Sequence, residues 1–465
     1  MKERLDGWTW NSGDDNKEAA SGPPAHDRYA VPRIRRTPAQ SARAAGGWIR
    51  GRWIRLTTVV TVLALAIGGW QTYTYLTRYH EQISGTHGAF PTALGTAAPE
   101  RPGRVLPSGG DASPVVVDGL ALHERNDGIT ADNVRTGRTY WQYGREKAAL
   151  ISESVVGGGA VVLWYDDGLA VSVDLRSGKP GWHTKVAGKV REDSQDRVWR
   201  AGGTVVINQQ DRLTGLSARN GKKLWSLAPP RGCERWDYRP PVDLADTEAF
   251  DARHCSGSED GLYGLDPANG RSRWHLRDPY LDYGRLGDHT LVTLTPVGSL
   301  VTVDVSGSQP RVHSAFLSHH LYLRSVSDGM VILGSDDDTT FTARRVSDDS
   351  SSKVLWTVKA KKGYALGFPR TSDGRTYIPQ YRPPLEAKQQ KAPGSAQLLV
   401  RDARTGRELH RAELPASLYT SAEDLAGSRM AVIGAQYGVV RVGWAGFLVS
   451  PENQVTLADQ EVPSG

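Results

Sequence analysis

The chain has 465 residues, a net charge of +6 and only two cysteines, so it is too long for a single small core and too poor in cysteine for a disulfide scaffold. The charge is lopsided. Residues 1–55 hold 11 Lys+Arg against 6 Asp+Glu, which leaves +1 for the other 410 residues and excludes a nucleic-acid footprint on the body of the protein.

Residues 1–55 are polar, rich in Ser, Gly, Pro and charge, and are predicted to be a disordered tail. Eight arginines fall between Arg28 and Arg55 with no acid among them. Across the chain Arg outnumbers Lys 43 to 14, which points to a GC-rich bacterial genome rather than to a functional choice. Residues 56–77 carry no charge. As a helix at about 1.5 Å per residue they would span about 33 Å, close to the thickness of a bilayer's hydrocarbon core. Trp48 and Trp53 flank one end and Trp70, Tyr73 and Tyr75 the other, as interfacial belts do. After the span only Arg78 precedes Arg101, so the positive-inside rule puts the N-terminus in the cytoplasm and the rest outside. An uncleaved signal anchor is preferred to a cleaved signal peptide. The small-x-small Ala64-Leu-Ala66 lies in mid-run, and Arg35-Arg36 stands about 20 residues before the apolar stretch, far for a twin-arginine signal. Residues 78–113, rich in Gly, Pro, Ala and Thr, read as an extracytoplasmic stalk.

From residue 114 to 465 one phrase recurs. Asn133 to Trp141, Asp174 to Trp182, Ser217 to Trp225, Asp266 to Trp274 and Asp402 to His410 are clear copies, with Gly137, Gly178, Gly221, Gly270 and Gly406 in the fifth place. Worn copies run from Asp304 to Val312, Asp348 to Trp356 and Ser450 to Ala458, with Ser308, Ser352 and Gln454 in the glycine slot. The slots are 41, 43, 49, 38, 44, 54 and 48 residues apart, the period of a stacked or radial repeat. Asp and Asn oxygens accept backbone N–H bonds in a turn, and Gly supplies positive φ. Hairpin signals precede each phrase, as in Val161 to Tyr165, a turn at Gly168, then Leu169 to Val173. Each unit is therefore predicted to be three or four antiparallel strands. Eight such sheets packed radially, or seven, would bury both faces, with Trp141, Trp182, Trp225, Trp274 and Trp356 as wedges between blades.

The Asp-x-x-x-Gly-x-x-x-Trp phrase resembles the tryptophan repeat of the PQQ-like (pyrroloquinoline-quinone) β-propeller superfamily, which includes quinoprotein alcohol dehydrogenases and the outer-membrane-assembly propeller BamB. The resemblance covers roughly residues 114–465 and implies an all-β, eight-bladed propeller of four-stranded antiparallel blades. It does not choose between catalysts and scaffolds. Quinoprotein dehydrogenases carry an Asp base, a calcium-held quinone and a disulfide between adjacent cysteines. This chain has no adjacent cysteine pair and no C-x-x-C-H haem attachment.

Cys233 and Cys255 lie in one insertion, about residues 229–258, on the side expected to be oxidising, and are expected to pair; two free thiols are the alternative. A zinc site is disfavoured, because two Cys and His254 lack paired ligand spacing. A second polar insertion, Arg382 to Ser395, reads as a mobile loop. Asp336-Asp337-Asp338 could bind calcium and His319-His320 a metal, but a solvated turn and a loop pair are the preferred readings. No P-loop, His-Glu-x-x-His or Gly-x-Ser-x-Gly occurs. No catalytic, cofactor-binding or metal residue is therefore assigned. The expected function is a membrane-tethered, non-catalytic protein-interaction module with a protein partner. The alternative is a quinone-dependent dehydrogenase or small-ligand sensor using the funnel.

Overall fold

The computed structural model describes residues 60–74, 78–106, 115–157, 159–188, 190, 196–237, 239–255, 261–277, 283–327, 329–383, 395–419, 428–445 and 454–460. The chain divides into two units, Met1–Tyr75 and Leu76–Gly465. In the first, residues 60–74 are helical, as expected of an uncharged run rich in Leu, Ala and Val. Among the described residues no helix is long and apolar enough to cross a membrane. The ends of the expected span, 56–59 and 75–77, lie outside the described residues, as do the tail and most of the Arg382 to Ser395 insertion.

The second unit is an eight-bladed propeller of antiparallel sheets. Blade 1 covers Val115–Arg145, blade 2 Leu150–Lys185, blade 3 Arg197–Leu227 and blade 4 Cys233–Arg277. Blade 5 covers Gly284–Phe316, blade 6 Leu321–Lys359, blade 7 Ala365–Glu413, and blade 8 Arg429–Asp459. Within these ranges the strands follow chain order from the channel outward, so the innermost strand comes first. In blades 4 and 7 that strand is broken into two short pieces on the same neighbour. The core lies between sheets. Trp141, Tyr143, Val161, Leu163 and Tyr165, for example, share one cluster from blades 1 and 2.

The segment read as a stalk is instead built into the ring. Pro102–Val105 is the outermost strand of blade 8, with Arg104 opposite Ala458 and Val105 opposite Leu457. The last blade has only three strands of its own, and a bare edge there would leave a row of backbone groups unpaired. Ala98 donates its N–H to Asp373 and Tyr377 donates its hydroxyl to the Pro99 carbonyl, which fixes the approach of this strand across blade 7. Glu81–Ser84 adds a fifth strand to the outside of blade 1, paired with Gln142 to Arg145. The propeller thus draws on residues from 81 onward rather than from 114. A composition rich in Gly, Pro and Ala hides this, because neither short strand alternates clearly.

Candidate functional surfaces and the central channel

The repeated phrase is the turn between the third and fourth strands of a blade. In blade 2 the Gly178 N–H donates to the Asp174 carbonyl, while the Asp174 carboxylate accepts from the Ser177 N–H. The glycine and the tryptophan of one phrase serve opposite neighbours. Trp141 donates its Nε1–H to the Leu175 carbonyl of blade 2 at 2.7 Å, and its ring lies on Gly178, where an added Cβ would come within 2.7 Å. Trp182 meets Ala218 and Gly221 of blade 3 in the same way, Trp225 meets Pro267 and Gly270 of blade 4, and Trp356 meets Ala403 and Gly406 of blade 7. Gly178 is needed twice over, since its φ of 66° disfavours a side chain and the indole leaves no room for one.

The relay stops at Trp274, whose Nε1–H turns back to Thr247 of its own blade at 3.3 Å. The next phrase has Ser308 for glycine and Val312 for tryptophan, and Val312 is exposed. Gly137 takes the same left-handed φ, 66°, at the first phrase. Two worn copies sit differently from the expectation. In blade 6 the left-handed residue is Ser350, φ 65°, and Ser352 already belongs to the outer strand. Of Ser450 to Ala458, residues 450–453 lie outside the described residues and Gln454 to Ala458 belong to the third strand of blade 8. The phrase position there falls on Asp459, whose carboxylate accepts from the Arg101 N–H as the turn Asp does elsewhere.

Cys233 and Cys255 are directly opposed on antiparallel strands of blade 4 and form a disulfide, packed beside Trp236 and Phe250. The Asp336-Asp337-Asp338 run does not act as one unit. Asp337 accepts from Ser335 and Thr339 in a turn, which holds its carboxyl below the usual range. Asp338 is buried and bridges Arg324 at 2.5 Å and Arg429 at 2.8 Å. Burial pushes the Asp338 carboxyl up against both guanidiniums. Among the described residues no group of three or more His, Cys, Asp or Glu could hold a metal.

His319 and His320 border a cavity of about 580 Å³ at the start of blade 6, with Tyr322, Arg324 and Phe368. Arg324 lies over both the Tyr322 and Phe368 rings. Val297, Phe316 and Tyr322 expose 58%, 60% and 44% of their surface beside this cavity, and His319 packs edge-on to Phe316. Gly298 lets the Val297 turn press onto this connection, since a Cβ there would strike the Ser318 carbonyl. Lone exposed apolar residues are ordinary, but these three lie around one recess. Nothing in the sequence announced it, because the residues come from a turn and from the ends of two strands of different blades.

Two carboxyls lie on the second strands of their blades. Glu248 of blade 4 is 3% exposed. Burial, reinforced by Asp243 and opposed by Arg200 and Arg285, pushes its carboxyl up to about 8. Glu124 is also raised by burial, against the pull of Arg197. A larger cavity, about 690 Å³, lies between the inner strands of blades 5 to 8.

The fold and its relay of indoles therefore define a tryptophan-docked, eight-bladed β-propeller. Residues 104–276 match the family model described as outer membrane protein assembly factor BamB, so the first four blades are BamB-like in sequence as well. Among solved structures, BamB from Moraxella catarrhalis is 18% identical, with 76% of this chain and 100% of that one covered and a TM-score of 0.43. The computationally designed Ika8 protein is 11% identical, with 79% and 99% covered and a TM-score of 0.49. The quinohemoprotein alcohol dehydrogenase from Comamonas testosteroni is 13% identical, with 81% and 76% covered and a TM-score of 0.41. No curated protein matches the chain.

Proposed function

We propose that this chain is a membrane-tethered, extracytoplasmic and non-catalytic interaction module, with the propeller as the partner-binding body. The observation that carries the reading is the apolar patch of Val297, Phe316 and Tyr322 around the recess of blades 5 and 6. Such clusters supply most of the binding energy of protein interfaces. At the other end of the same blade 5 hairpin, Val312 stands exposed where other blades bury an indole. Tethering is supported by the uncharged run 56–77 and the arginines before it.

The test places a photo-crosslinking residue at Phe316, and separately at Leu224 on the outer strand of blade 3, in the full-length chain in its own membranes. A discrete adduct from position 316 that is absent from position 224, and that is lost on adding Tyr322→Asp, is the expected result. Equal, diffuse labelling from both positions would overturn the interface. A rise in melting temperature with PQQ and calcium, with dye reduction in the presence of an alcohol, would favour the dehydrogenase reading instead.

A further inference from the structure

The inner strand of blade 6, Leu321–Ser327, pairs on one side only, with Met330–Ser335. Its other edge faces the channel, and among the described residues no strand covers it. None of its seven residues is buried, whereas the inner strand of blade 8, Arg429–Gln436, buries most of its own. The chain closes two outer edges with short added strands, Glu81–Ser84 on blade 1 and Pro102–Val105 on blade 8. An edge left open is a template for pairing with another extended chain. The register shifts at Arg324, so the edge offers two stretches, Leu321 to Leu323 and Ser325 to Ser327.

Three cavities follow this one strand. The recess of about 580 Å³ takes in Leu321 to Arg324. A middle cavity of about 380 Å³ takes in Leu323, Ser325 and Val326, and the cavity of about 690 Å³ takes in Ser325, Val326 and Ser327. Neighbouring cavities share lining residues, so they succeed one another along the strand, from the apolar patch down the channel. Seven residues at about 3.3 Å each make a track of about 23 Å, which suits an extended peptide better than a compact small molecule. Its middle is apolar, with Pro240, Val242 and Leu262 on the wall. Three arginines along it are matched where they stand: Arg324 by Asp338, Arg239 by Asp237 and Arg285 by Asp288. A charged guest side chain in the middle cavity would therefore lose its water without gaining a counter-charge.

We infer that this track is a docking groove for an extended segment of a partner protein. The segment enters at the apolar patch and runs down the channel beside Leu321–Ser327. It is uncharged in its middle and carries apolar side chains at alternate positions. Backbone hydrogen bonds to the strand edge hold it, and the successive cavities take its alternate side chains. This rests on the interaction-module reading and names the part of the partner that the module takes.

The test places a small diazirine side chain at Leu323, Ser325 or Ser327, one at a time, in the full-length chain in its own membranes. Phe316 serves as the outer reference, and crosslinked peptides are sequenced by mass spectrometry. One partner peptide is expected from all three positions. The crosslinked residue is expected to move in one direction along that peptide as the probe moves from Leu323 to Ser327. Ser325→Trp, which fills the track, is expected to cut the Ser327 adduct at least tenfold while the Phe316 adduct still forms. Adducts from Phe316 and Leu323 with none from Ser325 or Ser327 would overturn the groove and leave the patch as the interface. Loss of the Phe316 adduct as well would overturn both. Channel adducts scattered over unrelated peptides, a small-molecule mass in place of a peptide, or an undiminished Ser327 adduct in Ser325→Trp would also exclude the extended segment. If Ser325→Trp fails to fold, the order of the crosslinks decides alone.

Discussion

At the scale of single residues, the phrase that recurs is a coupling device whose two ends act in different directions. Trp225 is 8% exposed, donates to Pro267 and covers Gly270 of the next blade. Trp225→Ala is expected to cost about 3–5 kcal/mol in denaturant melts, as large-to-small core changes do; a loss under about 1 kcal/mol would show that the blades do not rely on it. Gly178→Ala adds a side chain at φ 66° under the Trp141 ring and is expected to cost about 1–3 kcal/mol. Spacing made these positions legible, since a periodic Trp and Gly must serve each blade alike. Glu248 had no such signal. Its neighbours Asp243, Arg200 and Arg285 come from three blades, so only the fold brings them together. A carboxyl raised to about 8 is protonated in the folded protein where the unfolded chain has already ionised. Stability from this group is therefore full below about pH 4.5 and is lost as pH rises through about 8. Glu248→Gln is expected to flatten that decline between pH 5 and 8. A melting profile with the same slope in variant and wild type would show that the carboxyl is ionised throughout.

At the scale of elements, the sequence reading located the blades well and the chain before them poorly. Alternation and turn residues mark the strands of blades 1 to 3 because each lies between two apolar neighbours. Glu81–Ser84 is a short strand with the pattern Glu-Gln-Ile-Ser and looks like linker. What holds it is a buried polar cluster. Glu81 accepts from the Tyr143 hydroxyl at 2.5 Å and lies 2.5 Å from His183 Nε2 of blade 2, and the Tyr79 ring stacks on His183. Both side chains of the Glu81–His183 pair are almost fully buried. Glu81→Ala is expected to leave these partners unmatched at a cost of about 1–3 kcal/mol. It should also speed hydrogen exchange at Gln142 to Arg145, the residues that the strand covers; unchanged protection there would mean that the edge is held by backbone pairing alone. The Cys233–Cys255 bridge closes a separation of 22 residues. Removing it is expected to cost about 3 kcal/mol in the chain-entropy picture. Non-reduced peptide mapping should recover the linked pair, and free alkylation of both thiols in native, unreduced protein would refute it.

At the scale of the whole molecule, topology and chemistry are tested separately. External protease on intact spheroplasts is expected to remove the propeller and spare the arginine-rich tail; a digested tail with an intact propeller would invert the orientation. PQQ with calcium is expected to leave the melting temperature unchanged, because a ligand that binds only the folded state must raise it. The family resemblance was readable because repetition multiplies a weak signal eightfold. The apolar patch and the charged cavity were not, because each is assembled once, so no recurrence marks it. One feature of the ring also governs time. Arg104 pairs with Ala458, so the outermost strand of the last blade is among the first parts of the propeller to be synthesised and its partner among the last. Until the C-terminal strands emerge, blade 8 cannot exist and Pro102–Val105 has no edge to join. Joining ends so far apart costs loop-closure entropy and relies on contacts remote in sequence. Assembly should therefore end in a slow clasping step that follows the folding of individual blades, and a chain truncated before Gln454 should stall there as an open, protease-sensitive arc.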